Sequence, residues 1–412
     1  MPTQAPAAAP AQVQPKEPIK IGYIGNMSYA PAADALYATK LAIDEINAVG
    51  GILGHPLEFL SEDSKGQAPT ATAAYKKLVM NDRALVVIAA EGSELNFALQ
   101  EAGAVLYPEY PHLCMNTCTN HDDLGLKVQN DYEKYKFYFR PFIRSLYYFK
   151  VNEENLDVMN HYTGAKRMAL LIEDAQWTEF FRKGMPGKYP PYKDVIEASG
   201  VDVVYYAETG VTEKMFLPIL ESLATKNPDY IIFLHTYSDG AMFTKQWAQS
   251  AAKDIDLFTT GLATMPTFWD VTGGAALGVV TTAYAAEAPM TEKTLPFIEA
   301  LKAKYNKLPN WISYGSYEVP YLLKAAAEKS GTVEDVDALI RFLEKVEITG
   351  LLGRLAFDET HSYKYGPPYV RAVRAQFQKD GELVVLHPYE VAEHANAKSG
   401  KTFIPVRELR NQ

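Results

Sequence analysis

Ala90-Glu91-Gly92-Ser93 ends a β-branched run and opens an amphipathic one, which sets a hydroxyl and free backbone N–H groups at a helix start. Such a start is a ready anion site, because first-turn N–H groups lack intrahelical partners and the helix dipole adds positive potential. The same hydroxyl can cap its own helix, and the two uses are compatible. Glu91 cuts the other way, since a carboxylate there repels an anion or receives an amine. Met115-Asn116-Thr117-Cys118-Thr119-Asn120 is a second polar cluster, which also reads as an ordinary loop with Asx-type turns. Cys118, His121 and Asp122 can be written as nucleophile, base and orienter, but their near-adjacency in sequence gives no triad geometry. Zinc wants four ligands, and Cys114 and Cys118 have only His112 and His121 nearby, so no metal is expected. Free thiols and a local disulfide both stay open. The chain has no phosphate-cradling Walker loop, no dinucleotide fingerprint, no nucleophile elbow and no His-Glu-x-x-His. These groups suit binding better than catalysis, so neither enzymatic activity nor a cofactor is expected.

The elements that position them alternate. Ile19 to Ile24 reads as a strand and 32–49 as a helix with Leu36, Ile43, Ile46 and Val49 on one face, ended by Gly50-Gly51. Strands at Leu57 to Glu62 and Leu85 to Ala89 follow, with helices at 68–82 and from Ser93 to about Gly103. After a Tyr- and Phe-rich stretch at 132–149, which reads as a packed connection, the alternation restarts. Strands are expected at Met168 to Ile172, Val201 to Ala207, Tyr230 to Leu234 and Leu257 to Thr260. Helices fall after Trp177 and at 213–226 and 240–252. Alternating strands and helices imply parallel sheets covered on both faces, here as two Rossmann-like α/β lobes. A third part holds a strand at Val279 to Tyr284, helices at 291–305, 313–329 and 333–345, and a hairpin of Tyr369 to Gln378 with Leu383 to Pro388. Because that part must complete both lobes, the chain crosses between them several times, which makes a hinge.

A length of 412 residues suits two domains rather than one core. The net charge of -10 argues against nucleic acid, and no apolar run is long enough to span a bilayer. Met1 to Pro18, nearly all Pro, Ala, Gln and Thr, reads as a flexible leader, the stub of a signal or lipoprotein segment.

Ile43-Asp44-Glu45-Ile46-Asn47-Ala48-Val49-Gly50-Gly51-Ile52-Leu53-Gly54-His55-Pro56-Leu57 resembles a signature of the leucine/isoleucine/valine-binding family of ABC-transporter binding proteins. Phe139-Arg140-Pro141, Ser313-Tyr314-Gly315-Ser316-Tyr317 and Gly353-Arg354-Leu355-Ala356-Phe357-Asp358 resemble further motifs of that family, in matching order from about residue 19 to 360. The resemblance implies a type I periplasmic binding fold with three crossings. Lobe one would be 19–141 plus 284–352, and lobe two 142–283 plus 353–412. It places a ligand carboxylate at Gly92 and Ser93, with Thr117 or Thr119 beside it. Trp177 and Tyr237 would cover the ligand from lobe two, and Tyr29 and Tyr314 would close the other side.

One departure matters. Family members that bind α-amino acids carry an acid just after the strand ending near Thr260, where this chain has Leu262, Ala263 and Thr264. A buried ammonium without a carboxylate costs on the order of several kcal/mol. Unless Glu91 or Asp239 substitutes, the ligand lacks an amine. The expected protein is therefore a monomeric, extracytoplasmic substrate-binding component of an ABC importer, in the periplasm or lipid-anchored, that hands its ligand to a membrane permease. Its ligand would be a small apolar or aromatic carboxylate, or an amide-like solute. A branched-chain or aromatic amino acid is the alternative within the family, and a ligand-sensing regulator the alternative on the same fold.

Overall fold

A computed structural model describes residues 16–412, so the first fifteen positions of the expected leader lie outside the described residues. The first lobe is built on β1 (Ile19–Gly25), β2 (Leu57–Asp63), β3 (Val86–Ala90), β4 (Leu113–Asn116) and β5 (Tyr138–Phe139). All five are parallel, in the order β2-β1-β3-β4-β5. β3 is buried at every position, as expected for a central strand covered by helices on both faces. The helix Ala30–Ala48 packs on this sheet and stops at Gly50 and Gly51, with φ of 98° and 76°. A Cβ on Gly51 would lie 2.0 Å from the His55 carbonyl oxygen, so only glycine lets the loop fold back to start β2.

The second lobe holds β6 (Arg167–Asp174), β7 (Asp202–Gly210), β8 (Tyr230–Leu234), β9 (Asp256–Thr259) and β10 (Val280–Thr282). After a two-stranded ribbon, β11 (Ile348–Thr349) with β12 (Arg354–Leu355), its sheet is completed by β13 (Arg374–Phe377) and β14 (Leu383–His387). The order is β14-β13-β10-β9-β8-β6-β7, with β13 alone antiparallel to its neighbours β10 and β14. The alternation read from sequence is thus the fold observed: mixed α/β, two lobes, largely parallel sheets.

Differences concentrate where the chain changes lobes. Leu355, Phe357 and Tyr363 belong to the core of the first sheet, whereas Val373 and Ala375 pack with Val385 of β14. The third crossing therefore ends near Ala372, not at the expected 353. The hairpin strand expected from Tyr369 begins only at Arg374, so residues 369–373 are not part of β13. Instead Arg354 N donates to Pro368 O (3.1 Å) and Arg371 N to Leu352 O (3.0 Å). The second crossing also comes later than 284, since Ala286 and Ala288 still pack with Val373 and Ala375. Charges buried on folding tie the crossings together. Arg144 reaches Asp122 (3.2 Å) and Asp358 (3.4 Å), and Arg140 donates to His121 O (2.7 Å) and Ser362 Oγ (2.8 Å).

Candidate ligand-binding cleft

In each sheet the connections run to opposite sides from one pair of neighbouring strands, β1 and β3 in the first and β6 and β8 in the second. Carboxyl ends at such a switch leave a crevice. The loops after these strands face one another across a cleft of about 660 Å³. Asn26, Tyr29, Glu91, Gly92, Ser93 and Thr119 come from the first lobe, and Trp177, Thr236, Tyr237, Gly261 and Thr264 from the second.

Gly92, not Ser93, caps the helix Ser93–Leu106, and no side chain accepts from its first turn. Ser93 is thereby free of the capping role, and its hydroxyl is hydrogen-bonded to that of Thr119. Both residues are buried. Asn116 decides between the two threonines. Its Oδ1 accepts from Cys118 N (3.0 Å) and Thr119 N (3.1 Å), an Asx turn that brings Thr119 to the cleft. Thr117 lies outside the cleft, fully buried with its hydroxyl 3.2 Å from Ser316 Oγ.

On the second lobe, Glu173 organises the wall. Its carboxylate is wholly buried and accepts from Trp177 Nε1 (2.7 Å), Thr236 N (2.8 Å), Tyr237 N (3.0 Å), Ser238 N (2.9 Å) and Ser238 Oγ (3.0 Å). The Glu173 side chain thus fills the N–H crown after β8, whereas no side chain accepts from the first turn of the Ser93 helix. Trp177 lies edge-on to Tyr148 at 6.0 Å, and Tyr237 reaches across the cleft. A Cβ on Gly92 would lie 2.6 Å from the Tyr237 hydroxyl, so the missing side chain lets the two lobes meet.

Two expected residues are elsewhere. Ala263 is buried in the second-lobe core, because the turn Gly261–Thr264 points Gly261 and Thr264 to the cleft instead. Tyr314 packs beside Phe297, and its hydroxyl donates to Tyr284 O (2.5 Å), so Tyr284 is the ring that lines the cleft. Phe142, Tyr148, Tyr284 and Trp311 line the cleft and were not read from sequence as cleft residues. They stand at lobe crossings or a helix start, where periodicity carries no cleft signal.

The acids sort clearly. The turn Gly261–Thr264 supplies none. Asp239 caps its own helix by accepting from Met242 N (2.9 Å) and does not line the cleft. Asp174 is exposed and paired with Arg182 at 2.7 Å. Glu91 is buried, and burial pushes its carboxyl up to about 7, against a partly offsetting hydrogen bond from Ser64. No Lys, Arg or His is among the cleft's lining residues. Cys114 and Cys118 are free thiols, both raised to about 12 by burial, with Cys118 at the cleft.

The sequence pattern of the periplasmic binding proteins matches residues 18–111 and 147–381. The chain belongs to that family. As a periplasmic binding protein it is an extracytoplasmic solute binder and not an enzyme, and the leucine/isoleucine/valine-binding resemblance holds. A Leu/Ile/Val-binding protein of Rhizobium johnstonii is 24% identical over 360 residues, 83% of this chain and 88% of that one. An ABC transporter substrate-binding protein from Sphaerobacter thermophilus has a TM-score of 0.71 at 22% identity, covering 90% of this chain and 96% of its own. A solute-binding protein from R. palustris, solved with benzoate, gives 0.69 at 18% identity, covering 90% and 95%. No helix of this binding protein, among the described residues, is long and apolar enough to cross a membrane.

Proposed function

We propose that this protein is a monomeric substrate-binding component of an ABC importer that captures a small aromatic or apolar carboxylate, or an amide-like solute, and presents it to a membrane permease. The observation that carries the ligand class is the acid-free turn Gly261–Thr264 facing the hydroxyl pair of Ser93 and Thr119. The ligand's carboxylate sits on that pair and on the first-turn N–H groups of Ser93, Glu94 and Leu95. Tyr29, Tyr148, Trp177, Tyr237, Tyr284 and Trp311 sandwich its apolar body, at about 0.5–1.5 kcal/mol for each well-placed aromatic pair. Contacts from both lobes are completed only on closing, so ligand shifts the hinge toward the closed state. The benzoate complex of the R. palustris relative supports this reading. The Leu/Ile/Val-binding relatives support an amino-acid ligand instead, with Glu91 as its ammonium partner.

A thermal-shift screen separates the two, because ligand that binds only the folded state raises Tm with its affinity. Benzoate, 4-hydroxybenzoate or benzamide is expected to raise Tm while leucine and phenylalanine do not. Shifts confined to amino acids would overturn the ligand assignment.

A further inference from the structure

Glu91 is the one buried acid among the cleft's lining residues, and its Oε1 has no hydrogen-bond partner. A buried carboxylate with one oxygen unpartnered is costly, whereas a carboxylic acid facing an anion gains a strong hydrogen bond. Glu91 precedes the Ser93 helix by two positions and has its carbonyl fixed by Asn96 Nδ2 at 2.6 Å, so its backbone is anchored where the ligand's anionic end is placed. No basic side chain lines the cleft to neutralise that end. Resting on the carboxylate reading above, we propose that Glu91 enters the complex as a neutral carboxylic acid that donates a hydrogen bond to the ligand's carboxylate. Above neutrality, where the free acid is ionised, each capture then binds one proton from solvent together with the anion.

Four groups facing Glu91 are moved away from neutrality by their surroundings. Asp63, held by Met27 N (3.1 Å) and Lys65 N (2.8 Å), is lowered by those bonds. The Cys118 thiol and the Tyr23 and Tyr237 phenols are all raised by burial. Ser64 is neutral, and Glu94, with Lys65 behind Asp63, completes the charged surroundings. Behind the second wall, burial lowers His235 to about 4. Glu318 is raised to about 7 and Asp256 to about 6 by burial, but the first sits at the lobe crossings and the second at the amino end of β9.

Calorimetric titration with benzoate on the full chain tests this. If only the protonated acid binds, wild-type affinity falls about 30-fold between about pH 6 and about pH 8.5. Glu91→Gln, which keeps a donor and loses the charge, binds equally at both, and Glu318→Gln keeps the wild-type loss. Repeating the wild-type titration in buffers of different ionisation enthalpy reads proton uptake directly, without any variant; about one proton per ligand is expected near pH 8.5. Wild-type affinity equal at the two pH values, or tighter at the higher one, would overturn the proposal, as would zero proton uptake. Benzoate bound by no variant at either pH would instead remove the carboxylate reading beneath it.

Discussion

Ser93 lines the cleft, and the structure shows how its hydroxyl is held there. With Gly92 as the cap, the serine hydroxyl turns to Thr119 rather than to its own helix. Ser93→Ala should weaken benzoate binding about tenfold, the size of one or two lost hydrogen bonds, with Tm unchanged in the absence of ligand. Calorimetry beside a melting curve checks both halves. Trp177 and Tyr237 were legible as cleft-lining residues because each closely follows a strand read from its hydrophobic run, β6 and β8. Thr117 was not separable from Thr119, because a single Asx turn at Asn116 sets which one faces the cleft. Ala263 failed for a similar reason: a short helical turn after β9 reverses which side chains face inward.

At the scale of elements, the loops after β6 and β8 form one unit clamped by Glu173. Trp177 is part of that clamp and lies 8% exposed against Tyr148 and Phe181. Trp177, read from sequence as a ligand cover, is also held in place by its burial and its bond to Glu173, and Trp177→Ala should cost about 3–5 kcal/mol of stability in a denaturant titration. Tyr237, 45% exposed, is the cleaner probe of the cover. Gly92→Ala places a methyl where the Tyr237 hydroxyl approaches, so it should weaken ligand binding while leaving the ligand-free Tm within about a degree of wild type. Equal affinity in that variant would show that the two loops need not meet. Strand and helix identities were legible from hydrophobic period almost throughout. Crossing limits were not, because residues 356–370 pair by isolated bridges and turns that leave no periodic signal.

For the whole molecule, three buried carboxyls set an unusual slope of stability with pH. Glu91, Glu318 and Asp256 are all raised by burial, so the folded state holds protons that the unfolded state has released. The sign follows from linkage: their contribution is greatest below the unfolded carboxylate range and is lost as pH rises toward about 7. Glu91→Gln should therefore raise Tm at pH about 8, by the equivalent of roughly 1–3 kcal/mol, with the gain vanishing near pH 5. A gain of equal size at both would mean that the glutamine acts through packing. The same acid connects stability to capture, since a ligand that supplies an acceptor gives the Glu91 proton a partner.

The central claim is that the cleft takes an amine-free carboxylate at the Ser93 helix start, and its most direct measurement is a calorimetric titration at pH about 6 with benzoate and phenylalanine in parallel. Saturable one-to-one binding of benzoate with no heat from phenylalanine is the result expected. Tight binding of phenylalanine with none of benzoate would contradict it and make Glu91 the ammonium partner that the turn Gly261–Thr264 lacks.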